Sequence, residues 1–210
     1  MWLRIAFLGL TLRIAAILYF SRNDNYYDGI FQTIVDVDYK VFLDASNYPS
    51  PYDRHTYRYS PLLALLMSPS YYTHQCFGKI VIALFDAASI IFLYKIFESR
   101  KKDKKSNEKA AQIVSYFYCL NPVLIYLTVR GSCEGITMAL ASAFWYFYIG
   151  GDCTGNMSPV EKIDKGISER QPCWIRRYIS YAIFGLWVHF RVYPVIFVPM
   201  LIMHEYHSVK

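Results

Sequence analysis

Hydrophobic residues occur along this chain in long runs that are separated by polar, tyrosine-rich or basic stretches. A membrane-spanning helix needs about 20 predominantly apolar residues, and several of the runs reach or approach that length. The pattern predicts about five transmembrane helices, near residues 2–20, 77–97, 110–128, 134–149 and 178–203. We therefore expect an all-α, polytopic membrane protein in which residues 1–210 form a single multi-spanning domain.

Polar residues interrupt three of these runs. In the first run Arg13 breaks the apolar centre and no small-x-small cleavage site precedes Ser21, so a retained first span or signal anchor is favoured over a cleavable signal peptide. Asn121 and Pro122 predict a kink in the third span. Asp86 lies within the second span, where its expected role is an interhelical hydrogen bond or ion pair, since an unpaired charge is costly there.

Composition supports the membrane class and excludes others. The chain is 55% hydrophobic and 18% charged, and a soluble domain would need an unusually large core to bury that much apolar surface. The net charge of +6 could suggest nucleic acid, but the basic residues concentrate between the hydrophobic runs, so no nucleic-acid partner is expected. Five scattered cysteines without a CxxC pair indicate neither a disulfide framework nor a metal site.

The distribution of Lys and Arg sets the expected orientation. Residues 98–109, ESRKKDKKSNEK, are strongly basic and are typical of a cytoplasmic loop next to a span. Alternation then places residues 21–59, where Lys and Arg are sparse, on the exoplasmic or lumenal side as a large first loop. Residues 150–177 form a second basic loop on the cytoplasmic side.

The first loop contains the strongest candidate site. Asp36 and Asp38 form a DxD pattern. Two such carboxylates point the same way on an extended segment, where they could share a ligand, and diverge on a helix. Arg54, Tyr57 and Arg58 add cations and aromatic faces, a combination that suits a substrate with sugar hydroxyls and a phosphate. The alternative is a solvated surface of salt bridges with an interfacial tyrosine belt.

Two further groups of ionisable residues lie at predicted helix ends. In RGSCEG, Glu134 is a candidate for substrate binding, with a structural cap at a helix start as its alternative, and Arg130 offers a phosphate ligand. In WVHFRVYP, His189 and Arg191 interrupt an apolar run, which makes them functional candidates unless the helix ends there and the arginine snorkels to the interface.

Four motifs in a fixed order suggest a family. The segments DVDYKVFLDAS, SPYDRHTYRYSPLLALL, NPVLIYLTVRGSCEGI and VHFRVYP follow one another from residue 34 to about residue 199. In this order they resemble the catalytic subunits of GPI mannosyltransferase I, which add the first mannose in glycosylphosphatidylinositol assembly. Four linked motifs are far more specific than DxD alone.

The resemblance implies a GT-C-type glycosyltransferase of the endoplasmic reticulum membrane with a lumenal active site. Its donor would be dolichyl-phosphate mannose, its acceptor glucosaminyl-(acyl)phosphatidylinositol, its linkage α-1,4, and it would need no cofactor or metal and work with a small single-span stabilising subunit. By the same resemblance the DxD signature maps to Asp36 and Asp38. An inverting transfer needs a base on the acceptor hydroxyl, for which Asp36 is the candidate, with Asp38 helping to orient the acceptor or the base. The candidates for the donor phosphate are Arg54, Arg58, Arg130 and Arg191.

The chain departs from the resembled family in its length, and two alternative functions remain open. Members of the resembled family are longer, with further spans after the HFRVYP-type motif, so the chain is expected to be an amino-terminal fragment or truncated form. The alternatives are a channel or transporter with Asp86, His189 and Arg191 along its pathway, and a catalytically silent assembly subunit. Sequence repeats would favour a transporter, and none is found.

Overall fold

The computed structural model describes residues 2–23, 36–74, 76–98, 104–150 and 173–209. Within these ranges the regular elements are helices and there is no β-strand, which confirms the all-α prediction. The chain divides into two compact units, Met1–Ala139 and Leu140–Lys210. The interpretation of residues 1–210 as one multi-spanning domain stays a prediction.

The first unit is built from two long apolar helices and several shorter ones. The long helices fit together through interlocking aliphatic side chains such as Ile5 and Ile90 at one end and Ile17 and Ala83 at the other. In chain order the elements are α1 (Trp2–Asn23), α2 (Val37–Ala45), a 3-10 turn (Pro51–Asp53), α3 (Pro61–Met67), α4 (Pro69–Tyr72), α5 (Cys76–Glu98), α6 (Lys104–Leu120) and α7 (Pro122–Arg130), and α8 (Glu134–Gly150) continues into the second unit.

Two of the described helices are long and apolar enough to cross a membrane, Trp2–Ser21 and Cys76–Glu98. A third span results if α6 and α7 count as one helix bent by 46°. The bend lies where it was predicted, because Pro122 starts α7 and the Asn121 side chain caps it by accepting the Val123 N–H at 2.9 Å. The described residues thus form a helical membrane protein with two or three candidate spans.

The predicted first loop contains short helices in its described part, residues 36–59. The apolar run that follows forms α3, whose seven residues extend about 10 Å at 1.5 Å per residue, too short to cross a membrane. Part of the predicted basic loop is helical, since α6 begins at Lys104. Residues 24–35 and 99–103, together with most of the predicted loop 150–177, lie outside the described residues.

The second unit holds its helices together with aromatic side chains. Phe144, Tyr148, Trp187 and Leu201 form its buried core. The elements after α8 are α9 (Cys173–Phe190), a 3-10 turn (Tyr193–Phe197) and α10 (Val198–Val209). The predicted break at HFRVYP is confirmed, because the α-helix ends at Phe190 and Pro194 lies inside the 3-10 turn.

Candidate functional site

The structure brings together two motifs that are far apart in the sequence, DVD and RGSCEG. The backbone N–H of Asp36 donates to the carbonyl of Arg130 at 2.8 Å. Arg130 Nη2 also lies 3.6 Å from Asp36 Oδ2, in an ion pair whose side chains are 36% and 20% exposed. The Asp36–Arg130 pair is therefore held by the backbone and still accessible to solvent, as a substrate-binding carboxylate must be.

Of the two conformations considered for the DxD pattern, the structure has the helical one, which begins at Val37. Asp36 is the N-cap of α2, and its Oδ1 accepts the Asp38 N–H at 3.2 Å, which places Asp38 in the first helical turn. The helix forms because Tyr39, Phe42 and Ala45 recur every three residues and are all buried. Residues i and i+2 of a helix do not face each other, so the two carboxylates diverge. Asp36 faces Arg130, and Asp38 lies where the helix dipole favours a negative charge.

Tyr39 fixes α2 against the rest of the unit. Its side chain is 1% exposed and covers two glycines: a Cβ on Gly131 would lie 2.5 Å from its ring, and one on Gly78 would lie 2.6 Å from its hydroxyl oxygen. The Lys79 ammonium lies 5.8 Å from the ring centroid. Burial raises the pKa of the Tyr39 hydroxyl far above its ordinary value. The position of Asp36 thus depends on glycine at residue 131.

Gly131 also makes the turn that follows Arg130. Its φ of +86° lies in the left-handed region, which glycine adopts without the steric cost borne by other residues. Its N–H donates to the Thr128 carbonyl at 3.0 Å, and α7 ends there. Glu134 begins α8 three residues after Gly131, at a helix start where a carboxylate is favoured, and its assignment to substrate binding stays a prediction.

The second half of the loop is a folded turn. Arg54 pairs with Asp44 at 2.8 Å and also donates to the Thr56 hydroxyl, as in the salt-bridge alternative. Tyr57 is 2% exposed and its hydroxyl donates to the Ser60 carbonyl at 2.5 Å, and burial raises its pKa to about 12. Arg58 is exposed and forms no ion pair with the described residues. The assignment of these three residues to substrate binding stays a prediction.

His189 and Arg191 lie in the second unit, at the end of α9. His189 is exposed, and the Arg191 backbone N–H donates to the Trp187 carbonyl at 3.0 Å. The helix ends at this point, so these residues need not be buried within a continuous span. A role for them in substrate binding stays a prediction.

A second Asp–Arg pair, which the sequence predicted only in part, lies buried among α1, α5, α6 and α7. Asp86 is 3.1 Å from Arg13 Nε, with side chains 4% and 0% exposed. Its oxygens also accept from the Tyr118 hydroxyl at 3.1 Å and the Thr128 hydroxyl at 2.5 Å. The predicted interhelical role of Asp86 is confirmed. Arg13 was not predicted to be its partner, although two opposite charges in the middle of two apolar runs indicate such an ion pair.

No metal cluster is evident in the part of the chain that the structure describes. Within those ranges no three His, Cys, Asp or Glu side chains come close enough together to hold a metal ion. The Asp36–Arg130 pair places a carboxylate next to a guanidinium, groups that can accept a proton and bind an anion.

Fold and site together define an all-helical membrane protein with an accessible carboxylate–guanidinium pair where two of its helices meet. The chain belongs to the family described as "GPI transamidase subunit PIG-U", which matches residues 10–210. Its curated relatives include proteins named GPI mannosyltransferase 1, which confirms the resemblance drawn from the four motifs. No solved structure matches the chain.

Three fungal relatives show the extent of the similarity. The chain is 30% identical to the protein of Candida albicans over 80% of its own length and 37% of the relative's. It is 30% identical to the protein of Debaryomyces hansenii over 95% of its own length and 44% of the relative's. It is 32% identical to that of Schizosaccharomyces pombe over 76% of its own length and 36% of the relative's. The chain thus spans 37% to 44% of the length of the first two relatives.

Proposed function

We propose that the chain carries the catalytic residues of a mannosyltransferase of GPI-anchor biosynthesis. The transferred sugar is the first mannose, moved from dolichyl-phosphate mannose to glucosaminyl-(acyl)phosphatidylinositol in an α-1,4 linkage. The observation that carries the proposal is the Asp36–Arg130 pair, which joins the DVD and RGSCEG motifs in one accessible site. The name shared by the curated relatives supports the reaction class.

Asp36 is the proposed general base. A β-linked mannosyl phosphate that gives an α product requires inversion, so the acceptor hydroxyl attacks the anomeric carbon as the bond to the phosphate breaks. Asp36 accepts the hydroxyl proton, and its carboxylate is 20% exposed, within reach of a bound acceptor. Asp38, on the other side of the first turn, assists by orienting the acceptor or the base.

Arg130 acts together with the base. In an inverting displacement the base and the leaving phosphate lie on opposite faces of the anomeric carbon, and Arg130 lies only 3.6 Å from Asp36. Its guanidinium therefore orients the Asp36 carboxylate. The phosphate charge needs another cation, and Arg58 is the best supported one in the loop because Arg54 is already paired with Asp44. Tyr57 supports this turn, since its hydroxyl donates to the Ser60 carbonyl. His189 and Arg191, in the second unit, stay separate candidates for substrate binding.

The proposed architecture is of the GT-C type, with about five spans in the endoplasmic reticulum membrane and the Asp36 site in the lumen. The basic segment 98–109 supports this orientation, because it follows α5 and is typical of a cytoplasmic loop. A small single-span subunit is the proposed stabilising partner.

A second candidate function is that of a non-catalytic subunit of GPI transamidase, which the description of the matching family favours. The Asp36–Arg130 pair would then serve only to hold α2 against α7. The two candidates predict different lipids in deficient cells. Cells without the first mannosyl transfer accumulate the unmannosylated acceptor, whereas cells without the transamidase accumulate the complete GPI.

The test is to express this chain in cells that lack GPI mannosyltransferase 1 and in cells that lack the PIG-U transamidase subunit, and to measure surface GPI-anchored proteins and lipid intermediates. Rescue of the first cells only, with consumption of the unmannosylated acceptor, is the expected result. Rescue of the second cells only would establish the alternative and reject the mannosyltransferase proposal.

A further inference from the structure

A polar cleft of about 500 Å³ lies beside the carboxyl-terminal end of α2. Its lining side chains are all polar: Asp44, Asn47, Tyr48, Arg54, His55 and Thr56. Carboxylate, amide, phenol, guanidinium, imidazole and hydroxyl groups together are the donors and acceptors that a sugar with several hydroxyls and a phosphate requires. The cleft is distinct from the Asp36–Arg130 pair, which lies at the other end of the same helix.

Much of the hydrogen-bonding capacity of the cleft is unused. The side chains of Asn47, Tyr48 and His55 make no hydrogen bond with the described residues. Arg54, by contrast, is held in place by Asp44 and Thr56. The cleft therefore combines a fixed Asp44–Arg54 ion pair with several polar groups that remain available to a ligand, which is a preorganised arrangement.

A polar ridge connects the cleft with Asp36. Asp36, Lys40 and Asp44 are spaced four residues apart, so they lie on one side of α2, and the residues at 40 and 44 are exposed. At 1.5 Å per residue the ridge is about 12 Å long. Lys40 stands at its middle, and its ammonium forms no ion pair with the described residues. A ligand that follows the ridge would meet a base at one end, the Lys40 ammonium at the middle and the polar cleft at the other end.

We propose that this ridge and cleft bind the phosphorylated sugar headgroup of the glycolipid acceptor, an inference that rests on the proposed mannosyl transfer. In the donor, the phosphate is bonded to the reacting anomeric carbon and must lie next to the site of reaction. In the acceptor, sugar rings separate the reacting hydroxyl from the phosphate. A binding surface that extends about 12 Å from the base therefore fits the acceptor and not the donor.

The experiment measures binding by the full 210-residue chain in nanodiscs, with two lipid-free probes, glucosaminyl-inositol phosphate and mannosyl phosphate. The variants are Lys40→Ala and the double variant Asn47→Ala with His55→Ala. Lys109→Ala, an exposed lysine on α6, is the matched control. We expect each test variant to bind glucosaminyl-inositol phosphate about tenfold more weakly, as for loss of one hydrogen bond to a charged group. Its affinity for mannosyl phosphate should be unchanged, and the control should match wild type.

The proposal would be overturned if both test variants bound glucosaminyl-inositol phosphate with wild-type affinity. It would also be overturned by equal losses of affinity for the two probes, or if the wild type did not bind glucosaminyl-inositol phosphate. Circular dichroism and thermal unfolding of each variant identify any loss that is due to misfolding. Because binding is measured without transfer, the result is separate from the proposed function. A chain that binds the acceptor headgroup and transfers no mannose would reject the enzyme and keep the binding site.

Discussion

The two Asp–Arg pairs of the first unit share their chemistry and differ in their surroundings. Arg13 and Asp86 are 0% and 4% exposed, whereas Arg130 and Asp36 are 36% and 20% exposed. Both oxygens of Asp86 are occupied by groups from other helices. Asp36 uses one oxygen to cap its own helix and keeps a longer contact with Arg130. The comparison indicates that the buried pair holds the helices together and the accessible pair can meet a substrate.

The largest effect should come from breaking the buried pair. Asp86→Ala leaves the Arg13 guanidinium buried without its counter-ion, which costs about 3–5 kcal/mol in comparable cases. We expect a correspondingly lower free energy of unfolding in detergent. The double variant Arg13→Met with Asp86→Leu removes both charges and should recover most of that loss. Equal destabilisation by the single and double variants would show that the ion pair itself is not what matters.

Gly131→Ala should sharpen the comparison by disturbing the accessible pair through its backbone. Its left-handed φ costs about 1–2 kcal/mol for a residue with a side chain, and its Cβ would lie 2.5 Å from the Tyr39 ring. We expect a lower free energy of unfolding. We expect mannose transfer to be affected more strongly than stability, since α2 must shift. Gly185→Ala is the control, because its Cβ would meet nothing within 4 Å. Wild-type behaviour of Gly131→Ala would reject the role of Tyr39 and Gly131 in fixing Asp36.

Tyr57 extends the comparison to a buried neutral group. Tyr57→Phe removes the hydrogen bond to the Ser60 carbonyl and should lower the free energy of unfolding by about 1 kcal/mol. The folded-state pKa, about 12, lies above the ordinary value of 10.0, so the stabilisation is present below pH 10 and is lost as the pH rises towards 12. Denaturant unfolding from pH 8 to 12 should show this loss in the wild type and a smaller one in the variant. Parallel curves would contradict it.

The smallest effect is expected for the exposed pair of Asp44 and Arg54. Its side chains are 57% and 23% exposed, and surface ion pairs contribute about 0–1 kcal/mol. Asp44→Ala should therefore change the unfolding free energy by less than about 1 kcal/mol, and added salt should reduce the difference further. A loss of unfolding free energy as large as that of Asp86→Ala would mean that solvent exposure does not determine how much an Asp–Arg pair stabilises the fold.

The sequence predicted best those features that depend on short spacings along the chain. The long apolar runs, the kink at Asn121 and the break before Pro194 follow from helix length and from proline, which are local properties. The two aspartates of the DxD segment alone left its conformation open between extended and helical. The i, i+3 spacing of Tyr39, Phe42 and Ala45 was present in the sequence and indicates a helix.

Contacts between distant residues could not be predicted in the same way. Nothing local in DVD or RGSCEG specifies that Asp36 pairs with Arg130, since that contact requires α2 to pack against the end of α7. The left-handed turn at Gly131 is a local reason for glycine, but its contact with the ring of Tyr39 from another helix is not visible in the local sequence. From the sequence, Arg13 was interpreted only as evidence against a cleavable signal peptide. Its ion pair with Asp86 was not predicted, because the two residues are 73 positions apart.

The central claim, that Asp36 acts in chemistry while Asp86 maintains the fold, is tested most directly with Asp36→Asn. Asparagine caps a helix as well as aspartate does, so α2 should keep its N-cap and the free energy of unfolding should stay within about 0.5 kcal/mol of wild type. A neutral amide cannot accept the acceptor proton, and we expect mannose transfer from dolichyl-phosphate mannose to glucosaminyl-phosphatidylinositol to fall by about 100-fold or more. Transfer at the wild-type rate by a stably folded Asp36→Asn protein would contradict the account.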